Sequence, residues 1–370
     1  MKIIYISYSN IPSREANSIH VMKMCQAMAL NGHNVMLFAP HKKIVYEKDI
    51  NDLYDFYGVK NCFEIKKISC LPIKGKSYIY SFFAAMNARK IKPDLVYTRI
   101  TAGSYFSSIF KIPNVLELHE PLNHLFDLFF FKRLIRSNKL KRCIVISEAL
   151  KKYYIRNYPE IANLILVVPD AADPVGGNIK PIKIENPQKK LLVGYTGNLY
   201  KGRGMEIVLK LAQRCSWAEF HIIGGTEEDI SYWNERFSNL NNVILHGFVP
   251  QKEVYCYALA CDVLLAPYQR AVSTKRAKSD IAKWMSPLKI FEYMSTGKVI
   301  IASNLPVLRE ILNNNNALFA TPENVDEWEI VLTKVRDNPE LREQLGSQAK
   351  MDFEKKYTWN KRAKKVLQEL

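Results

Sequence analysis

SPLKIFEYMSTGKVIIASN, residues 286–304, joins a short helix to a strand and indicates how the second half of the chain is built. Ser286 is a favoured N-cap, Pro287 suits the first helical position, and Gly297 is a typical helix stop. The run VIIAS that follows has the length and composition of a buried strand. Because a similar strand, DVLLAPY, precedes the helix at residues 262–268, the pattern predicts a crossover helix between two parallel strands.

Two charged residues of this helix, Lys289 and Glu292, share a face near its N-terminus because they lie three positions apart. One interpretation is a surface ion pair. The other is a ligand site, since a helix N-terminus at the carboxyl ends of parallel strands offers N–H groups and a positive dipole to a phosphate. Ser286, Leu288 and Lys289 would then hold a diphosphate. Glu292, one turn further along, would accept hydrogen bonds from ribose hydroxyls.

The rest of the chain shows the same alternation of strands and helices in two series. The first has the strand-like runs KIIYISYS, NVMLFAP, DLVYTR, NVLELHE and RCIVIS, and the second has LLVGYTGN, EFHIIGG, NVILHGF, DVLLAPY and KVIIASN. Between them, residues 169–190 are rich in Pro, Gly, Asn and Lys, as linkers are. The predicted fold class is α/β, with two doubly wound Rossmann-like domains facing each other across a cleft.

The domain bounds follow from these series. We predict domains at residues 1–170 and 191–355, a linker at 171–190, and a C-terminal helix at 356–370 that packs back on the first domain.

Composition limits the partners and the location of the protein. The chain has 370 residues and a formal charge of +17, with 25 Lys and Arg against 14 Asp and Glu through residue 175 and 28 against 22 afterwards. Such a balance indicates nucleic acid, an anionic membrane or a phosphorylated substrate. Seven cysteines without CxxC pairs argue against a disulfide framework and a zinc site. No secretory signal or spanning segment is evident, so we expect a cytoplasmic protein, peripheral on the inner face of the cell membrane.

A second phosphate-binding pattern is GYTGNLYKGRGMEIVLK, residues 194–210, in which a strand ends in a glycine-containing turn and a helix begins near Gly204. Gly197 would let the backbone approach a phosphate, while Lys201 and Arg203 would supply positive charge. One such turn is weak support for a site. Two in the same predicted domain favour a nucleotide.

Three of these stretches together, YTGNLYKGRG, HGFVPQKEVYCYALACDVLLAPY and SPLKIFEYMSTGKVIIASNLP, resemble the nucleotide-sugar half of family 4 glycosyltransferases with the GT-B fold. The SPLK sequence is a variant of the family's donor motif. The first domain resembles the family more loosely, through KIIYISYSN, ELHEP and VISEAL. The resemblance implies retaining, metal-independent transfer of a sugar from a UDP- or GDP-linked donor in the second domain to an acceptor in the first, with no cofactor.

The resemblance also implies roles for individual residues. Lys201 and Arg203 match donor-diphosphate ligands, with Gly197 and Asn198 in the same turn, and Glu292 matches the ribose-binding glutamate. His119, in ELHEP at the end of a strand, resembles the histidine that faces the reacting sugar; a structural histidine is the alternative. Acceptor contacts are expected from Asn10, Asn17, His20 and Glu120.

Two positions depart from the family pattern. Trp284 stands where a second glutamate is frequent, eight residues before Glu292, and Asn198 replaces a usual arginine, which puts recognition of the donor sugar in doubt. Asp280, in the polar loop QRAVSTKRAKSDIAKWM, is a candidate for the missing carboxylate, although a solvated loop acid is the simpler interpretation. No Asp-X-Asp metal motif is present.

Other functions remain open at this stage. A sugar-nucleotide 2-epimerase would use two similar domains, and an inactive scaffold would keep the same fold. A nucleic-acid binder is invited by the charge, but no helix-turn-helix, zinc or RNP signature occurs. The segment HLFDLFFFKRLIRSNKLKR, residues 124–142, has the composition of either an interfacial membrane helix or a core-packed helix with a solvated face. We therefore expect a glycan or lipid-linked acceptor and an anionic membrane surface, and no nucleic acid, as partners.

Overall fold

A computed structural model describes residues 1–41, 50–70, 75–273 and 280–370. The chain divides into two compact units, one formed by Met1–Asp170 with Trp359–Leu370 and the other by Ala171–Thr358. The segment predicted as a linker, 171–190, is thus part of the second unit, and the last helix is part of the first. Within the described ranges, no helix combines the length and the apolar character that crossing a membrane requires.

The first unit contains a parallel sheet of seven strands in the order β3-β2-β1-β4-β5-β6-β7. Its strands are β1 (Lys2–Ile6), β2 (Asn34–His41), β3 (Glu64–Ser69), β4 (Leu95–Thr98), β5 (Asn114–Leu118), β6 (Leu140–Val145) and β7 (Ile165–Val167). The central strands β1, β4 and β5 are buried on both faces, as expected for parallel strands covered by helices. Five of the seven were predicted from their apolar runs.

Helices connect these strands. They are α1 (Ala16–Leu30), α2 (Leu53–Phe56), α3 (Lys76–Ile91), α4 (Thr101–Ile109), α5 (Leu125–Leu134) and α6 (Glu148–Asn157), followed by a 3₁₀ turn at Pro159–Ile161. Helix α6 starts at a capped N-terminus, where the Ser147 hydroxyl accepts a hydrogen bond from the Leu150 N–H.

The second unit contains a parallel sheet of six strands in the order β10-β9-β8-β11-β12-β13. Its strands are β8 (Leu191–Thr196), β9 (Ala218–Ile223), β10 (Val243–Gly247), β11 (Val263–Ala266), β12 (Val299–Ser303) and β13 (Leu318–Ala320). Its helices are α7 (Met205–Arg214), α8 (Glu227–Phe237), α9 (Gln251–Ala260), α10 (Leu288–Thr296), α11 (Pro306–Arg309), α12 (Val325–Asp337) and α13 (Pro339–Lys356). The final helix, α14 (Trp359–Leu367), belongs to the first unit.

Helix α10 confirms the predicted crossover and corrects its start. It lies between β11 and β12, which pair in parallel from Val263 and Val299, and it ends at Gly297, whose φ is 73°. The prediction that Ser286 is the N-cap was wrong. Pro287 occupies that position with an extended backbone (φ −72°, ψ 124°), so the helix begins at Leu288 without a side-chain cap.

Candidate active site

The glycine turn after β8 lies against helix α10 in the second unit. The Thr196 N–H donates a hydrogen bond of 2.8 Å to the Tyr293 hydroxyl of α10, which fixes the turn on the helix. Gly197 has a φ of 124°, and a Cβ at this position would lie 3.3 Å from Lys289 Nζ. The backbone conformation therefore favours glycine, and a side chain here would also crowd the lysine that lies against the turn.

Lys289 is buried, with 8% of its surface exposed, so the surface ion-pair interpretation of the sequence was wrong. Its Nζ lies 3.5 Å from the centroid of the Tyr195 ring and 5.3 Å from that of Tyr268. Nζ is a buried atom with no hydrogen-bond partner among the described residues. Burial and the repulsion of Arg203, opposed by Glu292, place the pKa of Lys289 well below its usual value.

Arg203 brings a second cation to the same place. It lies just before α7, and Gly204 at the N-cap of that helix has a φ of 91°. The Arg203 guanidinium carbon lies 5.3 Å from the Tyr268 ring centroid, and its Nε is buried without a hydrogen-bond partner in the part of the chain that the structure describes. Lys289 Nζ and Arg203 Nε are thus two buried cationic nitrogens beside the Tyr268 ring, each without an acceptor among the described residues, an environment that suits an anion.

The other residues predicted to bind the donor differ in how far they are buried. Asn198 and Lys201 are exposed, Ser286 is buried, and Leu288 and Glu292 are partly buried. Asp280 is tied to the backbone, since its carboxylate accepts hydrogen bonds of 2.9 Å from the N–H groups of Val272 and Ala282. Residues 274–279 of the polar loop lie outside the described residues.

In the first unit, His119 follows β5 and contacts a buried carboxylate. Its Nε2 lies 2.5 Å from Glu117 Oε1, and its side chain is 21% exposed. His20 of α1 lies edge-on to His119, with ring centroids 5.3 Å apart, and its Nε2 is 3.1 Å from the same Glu117 oxygen. Burial and the charge of Arg99 lower the pKa of His119 to about 4, although the attraction of Glu117 opposes them. The imidazole is therefore neutral near pH 7.

The carboxylate is stabilised by an arginine from α14. Arg362 Nη2 donates to Glu117 Oε1 at 3.0 Å and Nη1 to Oε2 at 3.3 Å, in a bidentate pair that is buried on both sides. Asp170 Oδ1 is 3.8 Å from Arg362 Nη2. Although burial opposes ionisation, the guanidinium holds the pKa of Glu117 well below its ordinary value.

The ligating atoms of His20, Glu117, His119 and Asp170 all lie within 4.8 Å of one another, close enough for a metal ion in principle. Arg362 already places its guanidinium against both carboxylates of this group. A divalent cation there would be repelled by a buried arginine and would have to displace it from Glu117. The donor set therefore fits a guanidinium better than a metal.

Comparisons with known proteins agree with this architecture. The chain matches the family described as Glycosyltransferase Family 4 over residues 18–175 and the family described as Glycosyl transferases group 1 over residues 178–352. The two matches together span nearly the whole chain. Both halves of the chain thus match glycosyltransferase families, and the protein is a glycosyltransferase with the GT-B fold.

Solved structures similar to this glycosyltransferase span its full length. HepE from Anabaena, in complex with UDP, is 16% identical over 100% of both chains with a TM-score of 0.74. Sucrose-phosphate synthase from Thermosynechococcus elongatus is 14% identical over 99% of this chain and 97% of its own, with a TM-score of 0.75. The lipopolysaccharide outer core galactosyltransferase WaaB is 15% identical over 100% of both chains, with a TM-score of 0.69. A comparison with curated protein sequences finds no match.

Residues that sequence analysis assigned to acceptor binding are distributed unevenly in the glycosyltransferase. His20 is buried beside His119. Asn17, at the start of α1, has a buried side-chain oxygen for which no donor is found among the described residues. Asn10 is buried in the loop after β1, and Glu120 is exposed. The structure therefore brings His20 next to His119 and leaves Glu120 in solvent.

Three residues of the His119 cluster were missed by sequence analysis, namely Glu117, Asp170 and Arg362. A signal for Glu117 was present, because it is the single charged residue in the otherwise uncharged run NVLEL of β5, where every position is buried. A charge in such a run predicts a buried partner. That partner lies 245 residues away on α14, and no local pattern identifies it.

Proposed function

We propose that the protein transfers a sugar from a UDP- or GDP-linked donor to a glycan or lipid-linked acceptor, such as a lipopolysaccharide or capsule intermediate, with retention at the anomeric carbon and without a metal ion. One observation carries the proposal: the buried Lys289 Nζ and Arg203 Nε lack hydrogen-bond partners among the described residues, beside a glycine turn and an uncapped helix N-terminus. A donor diphosphate has the charge and the acceptor oxygens that these groups need.

The arrangement also suits the chemistry of the transfer. When the bond between the sugar and the diphosphate breaks, negative charge develops on the leaving phosphate. Fixed cations and helix N–H groups stabilise that charge without reorganising, because the protein has already oriented them. Lys289 is seated for this role by Tyr195 and Tyr268, and Glu292 on the same helix is assigned to the ribose hydroxyls.

Retention follows, in this proposal, from attack on the face that the diphosphate leaves, with the departing phosphate accepting the proton of the acceptor hydroxyl. Glu120 is a poor candidate for a carboxylate nucleophile, since its side chain is exposed. His119 is assigned to the reacting sugar, which a neutral imidazole can bind through hydrogen bonds. We assign no metal, because Lys289 and Arg203 supply the positive charge at the proposed diphosphate site and Arg362 occupies the place beside Glu117.

Calorimetric titration with UDP and GDP tests the donor assignment. Lys289→Met should weaken the binding of the preferred nucleotide by roughly 10- to 100-fold, the range of a charge-assisted contact to phosphate. Glu292→Ala should cost about 1–3 kcal/mol in the same assay. Lys210→Met is the matched control, since Lys210 is an exposed lysine of the same unit and should leave affinity unchanged. Equal affinities in all four proteins would refute the site.

Turnover separates the role of His119 from that of the donor site. We expect His119→Ala to lower kcat far more than it lowers donor affinity, as its proposed contact is with the reacting sugar. Screening nucleotide sugars for slow hydrolysis, with released nucleotide as the signal, identifies the donor. An epimerase would instead convert the donor into an isomeric nucleotide sugar, which product analysis by chromatography distinguishes.

The membrane as a partner is supported by helix α5. Leu125, Phe126 and Phe129 are 84%, 65% and 45% exposed, and the Arg133 guanidinium lies 3.6 Å from the Phe129 ring centroid. Lys132 and Arg136 are exposed on the same segment. We propose that this face holds the protein on an anionic bilayer through charge, to which each basic residue contributes ~1 kcal/mol, with the apolar side chains entering the interface.

Vesicle co-sedimentation tests this surface. Binding should need anionic lipid and fall with salt, because the attraction decays over ~8–10 Å. Replacing Lys132, Arg133, Arg136 and Lys139 by Gln should release the protein, whereas Leu125→Ser with Phe126→Ser should weaken binding to the same vesicles without altering its salt dependence. If the protein co-sediments equally with neutral and anionic vesicles, this face is only a solvated helix.

A further inference from the structure

Glu117 occupies a position where an ionised side chain is costly. Every residue of β5 is buried, and Glu117 itself is 1% exposed. A buried carboxylate is retained only if its oxygens are hydrogen-bonded and its charge is compensated. Both conditions are met: the Tyr97 hydroxyl donates to Oε2, and Arg362 binds both oxygens. Glu117 is therefore a fixed anion.

Arg362 is itself held rigidly. Its Nε donates to the Pro169 carbonyl at 2.8 Å and its Nη2 to the Val168 carbonyl at 3.4 Å, and the side chain is almost completely buried. These contacts involve α14, the segment after β7 and β5. The C-terminal helix thus supplies the cation that keeps the carboxylate ionised.

The ionised carboxylate determines where the proton of His119 lies. A carboxylate can only accept, so the nitrogen that contacts Glu117 Oε1, Nε2, must carry the hydrogen. His119 Nδ1 is then an unprotonated acceptor. It makes no hydrogen bond within the described part of the chain, and it is not among the fully buried polar atoms.

We propose that Glu117 is the positioning residue of His119: it fixes the Nε2–H tautomer so that Nδ1 accepts a hydrogen bond from a substrate hydroxyl, and Arg362 of α14 keeps Glu117 ionised for this task. The proposal deepens the proposed function and rests on it, since it takes His119 as the group that contacts the reacting sugar. It adds a requirement for one tautomer and a role for the C-terminal helix.

The second unit contains a similar pair that serves as a reference. Glu219 and His221 are also two residues apart on a strand, and His221 Nε2 lies 3.0 Å from Glu219 Oε1. Here Nδ1 is occupied as well, because it lies 2.9 Å from His246 Nε2. Both nitrogens of His221 are used within the fold, whereas His119 keeps one for a ligand.

The test is ¹⁵N NMR of the full-length protein with labelled histidine, in which protonated and unprotonated ring nitrogens have separate shifts. The His119 signals are assigned by their loss in His119→Gln. Near pH 7 we expect His119 to carry hydrogen on Nε2 and none on Nδ1. A wild-type His119 protonated on Nδ1, or on both nitrogens, would overturn the proposal. This result does not depend on whether a Glu117 variant folds.

Glu117→Gln extends the test to activity. We expect the amide to keep its oxygen against the Tyr97 hydroxyl and Arg362 Nη1 and to turn its NH₂ to His119, which moves the hydrogen of His119 to Nδ1. We expect kcat to fall by roughly 10²- to 10⁴-fold, as when a histidine is held in the wrong tautomer, with donor affinity changed less than about threefold. Glu219→Gln is the matched control and should leave kcat and the His119 signals unchanged.

The outcomes separate this proposal from the proposed function. Unchanged kcat in Glu117→Gln, or a lost kcat with the tautomer unchanged, would contradict the positioning role. Full turnover in His119→Ala with normal nucleotide binding would instead refute the assignment of His119 to the sugar, while the measured tautomer would still report on Glu117. Arg362→Lys keeps a positive charge but not the bidentate geometry, and it should give a smaller loss of kcat than Glu117→Gln.

Discussion

Arg362 in the first unit and Lys289 in the second are both buried cations, and they differ in what surrounds the charge. Arg362 in the first unit donates to both oxygens of Glu117 and to backbone carbonyls. Lys289 in the second unit faces the rings of Tyr195 and Tyr268, and its Nζ has no acceptor among the described residues. The first charge has its acceptors within the fold, whereas the second has none there, and the proposed donor diphosphate would supply them.

The difference teaches how to recognise a binding site from burial. A buried charge with partners holds the fold together, and removing one partner leaves the other uncompensated. A buried charge without partners lowers stability, and proteins retain such groups at functional sites where a ligand compensates them. Burial alone does not separate the two cases, since both side chains are almost fully buried. The number of hydrogen-bond acceptors around the charge separates them.

The largest expected effect is on the paired cation. Arg362→Ala should lower the free energy of unfolding by about 3–5 kcal/mol, because Glu117 would remain buried without its partner. Arg362→Lys should cost less, since the charge persists. Urea denaturation of the full-length variants measures both. A loss below about 1 kcal/mol for Arg362→Ala would show that Glu117 does not depend on this arginine.

The next effect is the response of the first unit to acid. Burial and Arg99 lower the pKa of His119 from 6.5 to about 4, so the unfolded chain binds more protons than the folded one between these values. The contribution of His119 to the free energy of unfolding should therefore be fully present above about pH 6.5. It should fall by about 2–3 kcal/mol as the pH drops to about 4. Thermal denaturation from pH 7 to pH 4 measures the loss. His119→Gln should flatten this part of the profile, and equal slopes in both proteins would contradict it.

Replacing Lys289, the buried cation without an acceptor, should raise the stability of the protein, whereas replacing Arg362 should lower it. Lys289→Met removes a desolvated charge while keeping much of the side-chain volume, and we expect the ligand-free protein to gain about 1–2 kcal/mol of stability. The same variant should lose the stabilisation that nucleotide gives the wild type. Thermal shifts with and without UDP or GDP show both effects. A Lys289→Met protein that is less stable without ligand would mean that the lysine has a structural role.

Sequence analysis predicted the elements with strong local signals. The apolar runs of β1, β4, β8 and β12 and the stop at Gly297 are confirmed, because burial on both faces and a left-handed residue leave a local pattern. Strand β3 was missed since EIKKIS carries three charges at the edge of the sheet, where side chains reach solvent. The three-residue β13 is too short for a periodic pattern.

For the candidate site, too, residues with a local sequence signal were predicted and those that depend on tertiary packing were not. Gly197, Arg203 and Lys289 were predicted because turns and helix starts have local signatures. The environment of Lys289 was not, since burial beneath Tyr195 depends on how α10 packs on β8. The link between Glu117 and Arg362 joins distant parts of the chain and is a property of the folded unit alone.

The smallest expected effect is a fractional proton taken up when the nucleotide binds. Burial and the nearby Arg203 lower the pKa of Lys289 well below 10.5, so part of this lysine is neutral in the free protein at alkaline pH. A bound diphosphate would compensate the charge and raise that pKa, and the protein should therefore take up less than one proton per nucleotide. Above about pH 7.5 the phosphates of the free nucleotide are already ionised, with a last pKa near 6, and contribute little.

Calorimetry in two buffers with different ionisation enthalpies measures the number of protons taken up on binding. Lys289→Met, at concentrations that still give binding, should show no uptake, and a wild type without proton uptake between pH 7.5 and 9 would mean that Lys289 is already charged before the ligand arrives.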